Sequence, residues 1–392
     1  MTVLFAVICV AFIGLGLPDS LLGAVWPVAR AELGAPLSAA GLLSAIVCCG
    51  TVVSSLASAR LTRRFGAQRV TVVSILLTAA GVLGYALMPS FGWMLLFALP
   101  LGLGAGSVDA ALNGYVALHF EARHMNWLHC FWGVGATLGP MIVSRFIAAG
   151  RGWRLGMGAV AGMLAAIAGL VLCSFPLWRR AALQNGAAEL VQRAMTNREA
   201  LRIPGMAFTM LSFFSYSGVE LTTGLWAASY LAECRGLPAS TAAGWVSAFY
   251  IGIAAGRLTA GFVSERIGDK ALIRLGCGIS AAGIALLALP LPEFFCLAAL
   301  GLLGLGCAPI YPAIIHDTPR RVGPSASRAA IGLEMATAYI GSTLIPPLVG
   351  LLADRFSVAL LPTLLFASLA LMTLSNEAVN AILRRRNPRA GA

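Results

Sequence analysis

Long apolar stretches recur along the whole chain and are separated by short polar connections. A helix needs roughly 20 apolar residues to cross about 30 Å of hydrocarbon. Stretches of that length begin near Thr2, Leu37, Val70, Trp93, Asn126, Trp153, Pro204, Ser240, Ala271, Phe294, Ala326 and Val358. The pattern therefore predicts an all-α integral membrane protein with twelve transmembrane helices, since helices satisfy their own backbone polar groups in lipid.

One long polar interval interrupts this pattern near the middle of the sequence. It covers residues 179–203 and carries five arginines, from Arg179 to Arg202. We expect it to be a cytoplasmic linker. It divides the chain into an N-terminal six-helix bundle, residues 1–178, and a C-terminal six-helix bundle, residues 204–392, which ends in a short basic tail.

The composition agrees with a protein that lies mostly in lipid. Of its 392 residues, 59% are hydrophobic and 11% are charged, against about 25% charged in an average soluble domain. This excludes secreted proteins and ordinary cytosolic enzymes. The net charge of +12 predicts no nucleic-acid partner, because the basic residues lie at the ends of apolar stretches rather than in one patch. Their partner is expected to be the lipid bilayer.

The distribution of basic residues predicts the orientation of the helices. Twenty lysines and arginines fall in one set of alternate connections, and five fall in the other set. Because cytoplasmic connections carry the excess of positive charge, both termini are expected in the cytoplasm. We expect a multi-pass protein of the cell membrane, in a bacterial inner membrane.

Short sequence blocks recur in the two halves. The block Ser38–Ala45 returns as Thr241–Ala248, an offset of 203 residues, and Leu101–Gly104 returns as Leu303–Gly306. A duplicated six-helix unit around a site near the middle of the membrane is a transporter architecture. The repeats therefore predict two pseudo-symmetric bundles.

Several acids lie inside the apolar stretches. Asp19, Asp109, Glu220 and Glu334 are the clearest cases, whereas Asp317 is expected at a solvated helix end. A charge at the bilayer centre costs about 2.5 to 3.5 kcal/mol and persists where it faces a polar cavity or a partner. These residues are candidates for function. The alternative is a hydrogen-bonded carboxyl that only ties helices together.

A motif in the second half resembles a cytoplasmic loop of the major facilitator superfamily. Gly261, Glu265, Arg266, Gly268 and Lys270 match its G-x-x-x-[DE]-R-x-G-x-[KR] pattern. The resemblance implies a major facilitator fold and a conformational latch, in which the acid and the arginine pair across the bundle. The first-half copy lacks the leading glycine and the acid, and positive charge on the cytoplasmic side is the alternative interpretation of both loops.

The first and fourth helices resemble the fucose permease branch of proton-coupled sugar symporters. The match consists of Asp19 and of Gly102, Gly104, Asp109 and Asn113, the last two on one helix face. The resemblance implies symport of a small polar solute, a monosaccharide, by a monomer. Asp109 is the first candidate for the proton-carrying group and Asp19 for solute binding and for sharing the proton. These two assignments can be exchanged.

The seventh and tenth helices are similar to those of related sugar permeases. Glu220 and Trp226 would supply a hydroxyl acceptor and a stacking face, and Tyr311 lies in the tenth helix beside prolines that break it. The alternative for Trp226 is a place in the core. His129 is a weaker candidate because imidazole titrates near neutral pH, and a buried neutral histidine is its alternative.

The sequence leaves one alternative to sugar symport and disfavours another. Gly135, Gly139 and Pro140 match half of a glycine pattern found in drug and proton antiporters, which leaves proton-driven efflux of small organic compounds as an alternative. An intramembrane enzyme or a sensor is disfavoured, because the sequence contains no H-E-x-x-H, G-x-S-x-G or P-loop motif. We predict no metal site and no cofactor. The driving force is a proton gradient, with sodium left open.

Overall fold

The computed structural model describes residues 2–120, 122–178 and 197–386, and these residues are helical almost throughout. The helices are, in chain order, α1 Thr2–Asp19, α2 Leu21–Leu33, α3 Ala39–Phe65, α4 Ala67–Leu87, α5 Phe91–His119, α6 Ala122–Ala148, α7 Gly152–Cys173, α8 Asn197–Leu201, α9 Met206–Cys234, α10 Ala239–Ala288, α11 Phe294–Cys307, α12 Ile310–Val322, α13 Pro324–Arg355 and α14 Leu361–Arg386. Residues 179–196, most of the predicted linker, lie outside the described residues.

Ten stretches of the described chain are long and apolar enough to cross a membrane. Helices α1 and α2 together form the first, and α11 and α12 together form another. Helix α9 and the part of α10 before Gly268 lie where the seventh and eighth crossings are expected. An all-helical membrane architecture is therefore confirmed, whereas the count of twelve crossings stays a prediction.

Two of the crossings are broken near their middle. The first is interrupted at Ser20, whose hydroxyl donates a hydrogen bond to the carbonyl oxygen of Ala136 in α6 at 2.7 Å. The other is interrupted at Ala308 and Pro309, where proline lacks the backbone N–H that would continue the helix. Such breaks are tolerated at membrane depth where the backbone is buried in protein or lines a cavity. Both breaks lie beside the central cavity described below.

The two halves of the chain contact each other at the end of the bundle opposite the chain termini. Helix α2 packs on α9, α3 on α13, and α6 on α10. A Cβ atom added at Gly23 would overlap the carbonyl oxygen of Gly224, so only glycine allows this approach of α2 to α9. Beyond that point, Arg30 and Glu233 form an ion pair at 2.8 Å. This end of the bundle is closed.

Replacing Gly23 by alanine is expected to destabilise the closed end. The added methyl group meets backbone rather than a movable side chain, and overpacking of this kind costs about 1–3 kcal/mol. We expect a lower midpoint of thermal unfolding for the Gly23→Ala protein in detergent. Gly162→Ala in α7 is the matched control, because open space surrounds Gly162 and alanine favours a helix. Equal midpoints for the two variants would contradict the close approach.

Candidate functional site

A cavity of about 920 Å³ lies between the two halves. Side chains from helices α1 to α7 line it on one side, and side chains from α9, α10, α12 and α13 line it on the other. Most of the lining is apolar. Its charged residues and histidines are Asp19, Asp109, His129, Glu220, Arg257, Asp269 and His316. The cavity therefore extends from the broken first crossing to the exposed His316, at the end of the bundle that carries the termini.

Asp19 and Asp109 are the acids of the N-terminal half in this cavity. Asp19 ends α1 at the helix break, and its Oδ2 accepts a hydrogen bond from the indole Nε1–H of Trp132 at 2.7 Å. Asp109 Oδ1 accepts a hydrogen bond from Asn113 Nδ2, one helical turn away, at 2.8 Å. The spacing of these two residues predicted a shared helix face, and the structure confirms it.

Glu220 and Arg257 are the charged pair of the C-terminal half near the middle of the cavity. Glu220 Oε1 lies 3.6 Å from Arg257 Nη2, and the two side chains are 16% and 15% exposed. The guanidinium carbon of Arg257 lies 4.8 Å from the ring centroid of Trp132, within the range of a cation–π interaction. Trp132 therefore contacts Asp19 with its N–H and Arg257 with its ring, and it links charged groups of both halves.

Asp19 repels the other two carboxylates of the cavity. It lies close enough to both Asp109 and Glu220 for an electrostatic interaction, and like charges repel. Arg257 is the only arginine or lysine among the described residues that line the cavity. Near the centre of the cavity, three carboxylates therefore face one guanidinium. Protons or a positively charged ion would relieve this imbalance.

Aromatic side chains form the wall around Glu220. Tyr311 follows the break between α11 and α12, and its ring lies 5.2 Å from that of Phe213 and 6.0 Å from that of Tyr216. His129 also lines the cavity and packs edge-on against Phe12. Tyr216, Tyr311 and His129 line the cavity and carry polar groups that can hydrogen-bond to a small polar molecule, whereas Phe213 is buried behind Tyr311.

A model of the Major Facilitator Superfamily matches residues 4–244 and, in a second match, residues 208–391. The two matches overlap over residues 208–244 and together cover nearly the whole chain. The chain belongs to this superfamily. The match indicates a multi-pass membrane transporter of small solutes rather than an enzyme.

Several named proteins resemble this transporter at low identity. It is 25% identical to Bypass of stop codon protein 6 of Saccharomyces cerevisiae, over 93% of this chain and 80% of the yeast protein. It is 24% identical to the cis,cis-muconate transport protein of Acinetobacter baylyi, over 68% of this chain and 65% of that protein. A mutant of the nucleoside transporter NupG has the same fold, with a TM-score of 0.75, 15% identity and coverage of 96% and 98% of the two chains. The assignment to the fucose permease branch stays a prediction.

Trp226 does not line the cavity of this transporter, which corrects the expectation that it stacks on the solute. Its side chain is fully buried, its Nε1–H donates to the carbonyl oxygen of Pro346 at 2.9 Å, and its ring abuts Gly350. Six residues separate it from Glu220, and on a helix with 3.6 residues per turn this spacing points the two side chains in different directions. Trp226 holds α9 against α13.

Glu334 and Asp317 also lie outside the cavity lining. Glu334 is fully buried and accepts hydrogen bonds from the hydroxyl of Thr318 at 2.9 and 3.1 Å. Asp317 is not at a solvated helix end as expected, because it is buried and pairs with Arg321 at 2.7 Å. Glu334 connects α13 with α12, and Asp317 holds Arg321 of its own helix, whose guanidinium also donates to Asn376 of α14.

The predicted latch lies at a bend in α10. Gly268 has φ of 75°, a left-handed conformation that favours glycine, and it separates the two crossings within this helix. Arg266 and Lys270 have exposed side chains, whereas the burial of Gly261 and the side chain of Glu265 lie outside the described part of the structure. Pairing of Glu265 with Arg266 therefore stays a prediction. The acid seen to be paired in this loop is Asp269, which contacts His316 at 2.9 Å and Arg320 at 3.4 Å.

The candidates predicted from the sequence do not include Arg257 and Trp132 of the cavity. Arg257 is an ionisable residue inside an apolar stretch, and that alone marks it as a candidate for function. Trp132 carries no comparable signal. Tryptophan is common in membrane helices, and only the packing of α6 against α1 and α10 shows its two contacts.

Replacing Trp226 by alanine is expected to lower stability and to leave the cavity intact. Removal of a fully buried aromatic side chain costs about 3–5 kcal/mol. The midpoint of thermal unfolding in detergent should fall well below that of the Trp93→Ala control, because Trp93 is 51% exposed on the outer surface of α5. A Trp226→Ala protein that unfolds at the wild-type temperature would instead return Trp226 to the list of solute-binding candidates.

Proposed function

We propose that this transporter is a proton-coupled symporter of a small polar solute, with a monosaccharide as the expected solute, and that it works by alternating access. The observation that carries the proposal is the meeting of Asp19 and Asp109 from one half with Glu220 from the other in a single cavity. Its volume of about 920 Å³ lies within the range of about 300–1,000 Å³ that is typical of small-molecule sites.

Each polar residue of the cavity has a role in this proposal. Asp109 carries the transported proton, and Asp19 shares it. The solute hydroxyls form hydrogen bonds with four side chains. The carboxylates of Asp19 and Glu220 accept, and Asn113 and Tyr311 accept or donate. Asn113 Oδ1 is suited to this task because it is buried and has no hydrogen-bond partner among the described residues.

Electrostatics explain why proton and solute would move together. Closing the cavity around three carboxylates removes water that stabilises their charge, so closure of the empty, deprotonated site is unfavourable. A proton removes one charge, and solute hydroxyls supply donors for the remaining acceptors. Closure is then favoured only when both are bound, which is coupling by differential binding between conformations.

The proposal includes a topology. Residues 1–178 and 204–392 form the two bundles, residues 179–203 form the linker, and both termini face the cytoplasm of a bacterium, with the chain in its inner membrane. The closed end at Gly23 and Gly224 then faces outwards, and the cavity opens towards the cytoplasm. Relatives that are named transporters of cis,cis-muconate and of nucleosides support a small polar solute.

Replacing Asp109 by asparagine is expected to abolish accumulation driven by the proton gradient and to spare exchange of solute across the membrane without a gradient. An amide keeps an acceptor oxygen but exchanges no proton. Proteoliposomes with purified protein and a panel of labelled monosaccharides measure both fluxes, with and without an inward proton gradient.

Glu293→Gln is the matched control, because Glu293 is an exposed acid at the start of α11 outside the cavity. It should accumulate solute like the wild type. Normal accumulation by Asp109→Asn would contradict the role of Asp109. Accumulation of no monosaccharide, together with outward flux of amphipathic compounds under the opposite gradient, would favour efflux instead.

A further inference from the structure

Arg257 has more hydrogen-bonding capacity than its described partners use. A guanidinium carries five N–H donors and no acceptor. Its one ion pair, with Glu220, has an N–O separation of 3.6 Å, which is longer than the 2.7–2.9 Å or so of a strong charge-assisted hydrogen bond. Its Nε is buried and has no partner among the described residues. Arg257 therefore presents free donors in a cavity where unpaired charge is costly.

The surroundings of Arg257 leave room for an anion. The guanidinium carbon of Arg257 lies 4.8 Å from the centroid of the Trp132 ring, and the side chain of Arg257 lines the cavity. A planar guanidinium binds a carboxylate through two parallel hydrogen bonds in its own plane. The indole of Trp132 carries no hydrogen-bond acceptor, so its contact with Arg257 leaves the N–H donors available.

We infer that Arg257 binds the carboxylate of the transported solute and that Glu220 competes with the solute for this position. The inference rests on the proposed function and refines it. The solute class is a small carboxylic acid that carries hydroxyl groups, as a sugar acid does, so that the carboxylate meets Arg257 and the hydroxyls meet the acids and Asn113 across the cavity.

Other ionisable groups interact electrostatically with Glu220 or Arg257 or line the cavity with them. They include Asp19 on α1, Asp109 on α5, His129 and Cys130 on α6, Tyr216 on α9, Tyr250 on α10, Cys307 on α11, Tyr311 on α12 and Tyr339 on α13. Among these groups, only His129 could add a positive charge. Arg257 is therefore the centre to which a carboxylate would be drawn.

Competition between Glu220 and the solute links anion binding to protonation. An ionised Glu220 holds Arg257, whereas a protonated Glu220 releases it. A solute carboxylate that replaces the Glu220 carboxylate, while Glu220 takes up one proton, leaves the pair with its original net charge. Proton and anion then bind cooperatively, and by linkage each raises the affinity for the other. Affinity for the acid is expected to fall as pH rises.

Binding to the purified protein in detergent, without any gradient, tests the inference. The probes are matched acids and neutral compounds, D-glucuronate with D-glucose and benzoate with benzamide, and the readouts are calorimetric affinity and the shift in thermal unfolding on either side of neutral pH. At least one acid should bind and stabilise the protein, and its neutral partner should do so far less. Arg257→Gln should weaken binding of that acid about tenfold or more.

Three further variants separate binding from folding. Arg257→Lys keeps the charge but loses the planar donor pair, so it should fold and bind the acid with intermediate affinity. Glu220→Gln should bind the acid at all tested pH values with the affinity that the wild type reaches only at low pH. Arg145→Gln is the matched control, because Arg145 lies in α6 outside the cavity lining and should leave acid binding unchanged.

The inference is overturned if no acid of the panel binds, if neutral partners bind as well as the acids, or if acid binding survives in Arg257→Gln. Its failure is distinguishable from failure of the proposed symport. Gradient-driven accumulation of a neutral monosaccharide without acid binding would leave symport standing and remove the role of Arg257. Acid binding that depends on Arg257, without gradient-driven accumulation, would leave the anion site standing and remove symport.

Discussion

A charged side chain costs about 2.5 to 3.5 kcal/mol at the centre of a bilayer, and four of the charged residues that line the cavity of this transporter, Asp19, Asp109, Glu220 and Arg257, lie near its middle. That cost determines how the surrounding structure is arranged. Asp19 accepts from Trp132, Asp109 accepts from Asn113, and Glu220 pairs with Arg257. Each carboxylate thus has a described partner. These contacts offset part of the cost of charge in the membrane, and a carboxylate has further lone pairs that can accept hydrogen bonds.

The helix breaks contribute to the same balance. A continuous helix would satisfy every backbone group in the first crossing. The helix is nevertheless interrupted at Ser20, whose hydroxyl donates a hydrogen bond to the backbone of α6. Asp19 is the last residue before the break, so the interruption places its carboxylate beside Trp132. The break before Tyr311 plays the equivalent part in the second half. At this depth in the membrane, a continuous helix presents side chains only at the spacing of the helical turn. An interrupted helix can place polar groups in other positions.

A feature of the fold or of the site is predictable from the sequence when it depends on residues that are close together along the chain. Hydropathy placed the start of each predicted crossing within a few residues of a helix or of the bend at Gly268, because the requirement for about 20 apolar residues acts along the chain. The contact of Asp109 with Asn113 followed from the helical repeat. Trp226 was assigned wrongly, because a helix that is apolar all round gives no sign of which face meets the cavity. The meeting of Trp132 with Arg257 was not predictable, since it depends on how α6 packs against α10.

Trp132 and Asp19 belong to one half, whereas Arg257 and Glu220 belong to the other. Alternating access requires the halves to move relative to each other, and rigid movement preserves contacts within a half while changing those between halves. Asp19 would keep its hydrogen bond to Trp132, and Arg257 would keep its pairing with Glu220. The contact between the Trp132 ring and the Arg257 guanidinium is the one that such a movement must alter. Charged groups of the two halves are therefore connected across the moving interface by a cation–π contact, which is weak enough to be broken and restored in each transport cycle.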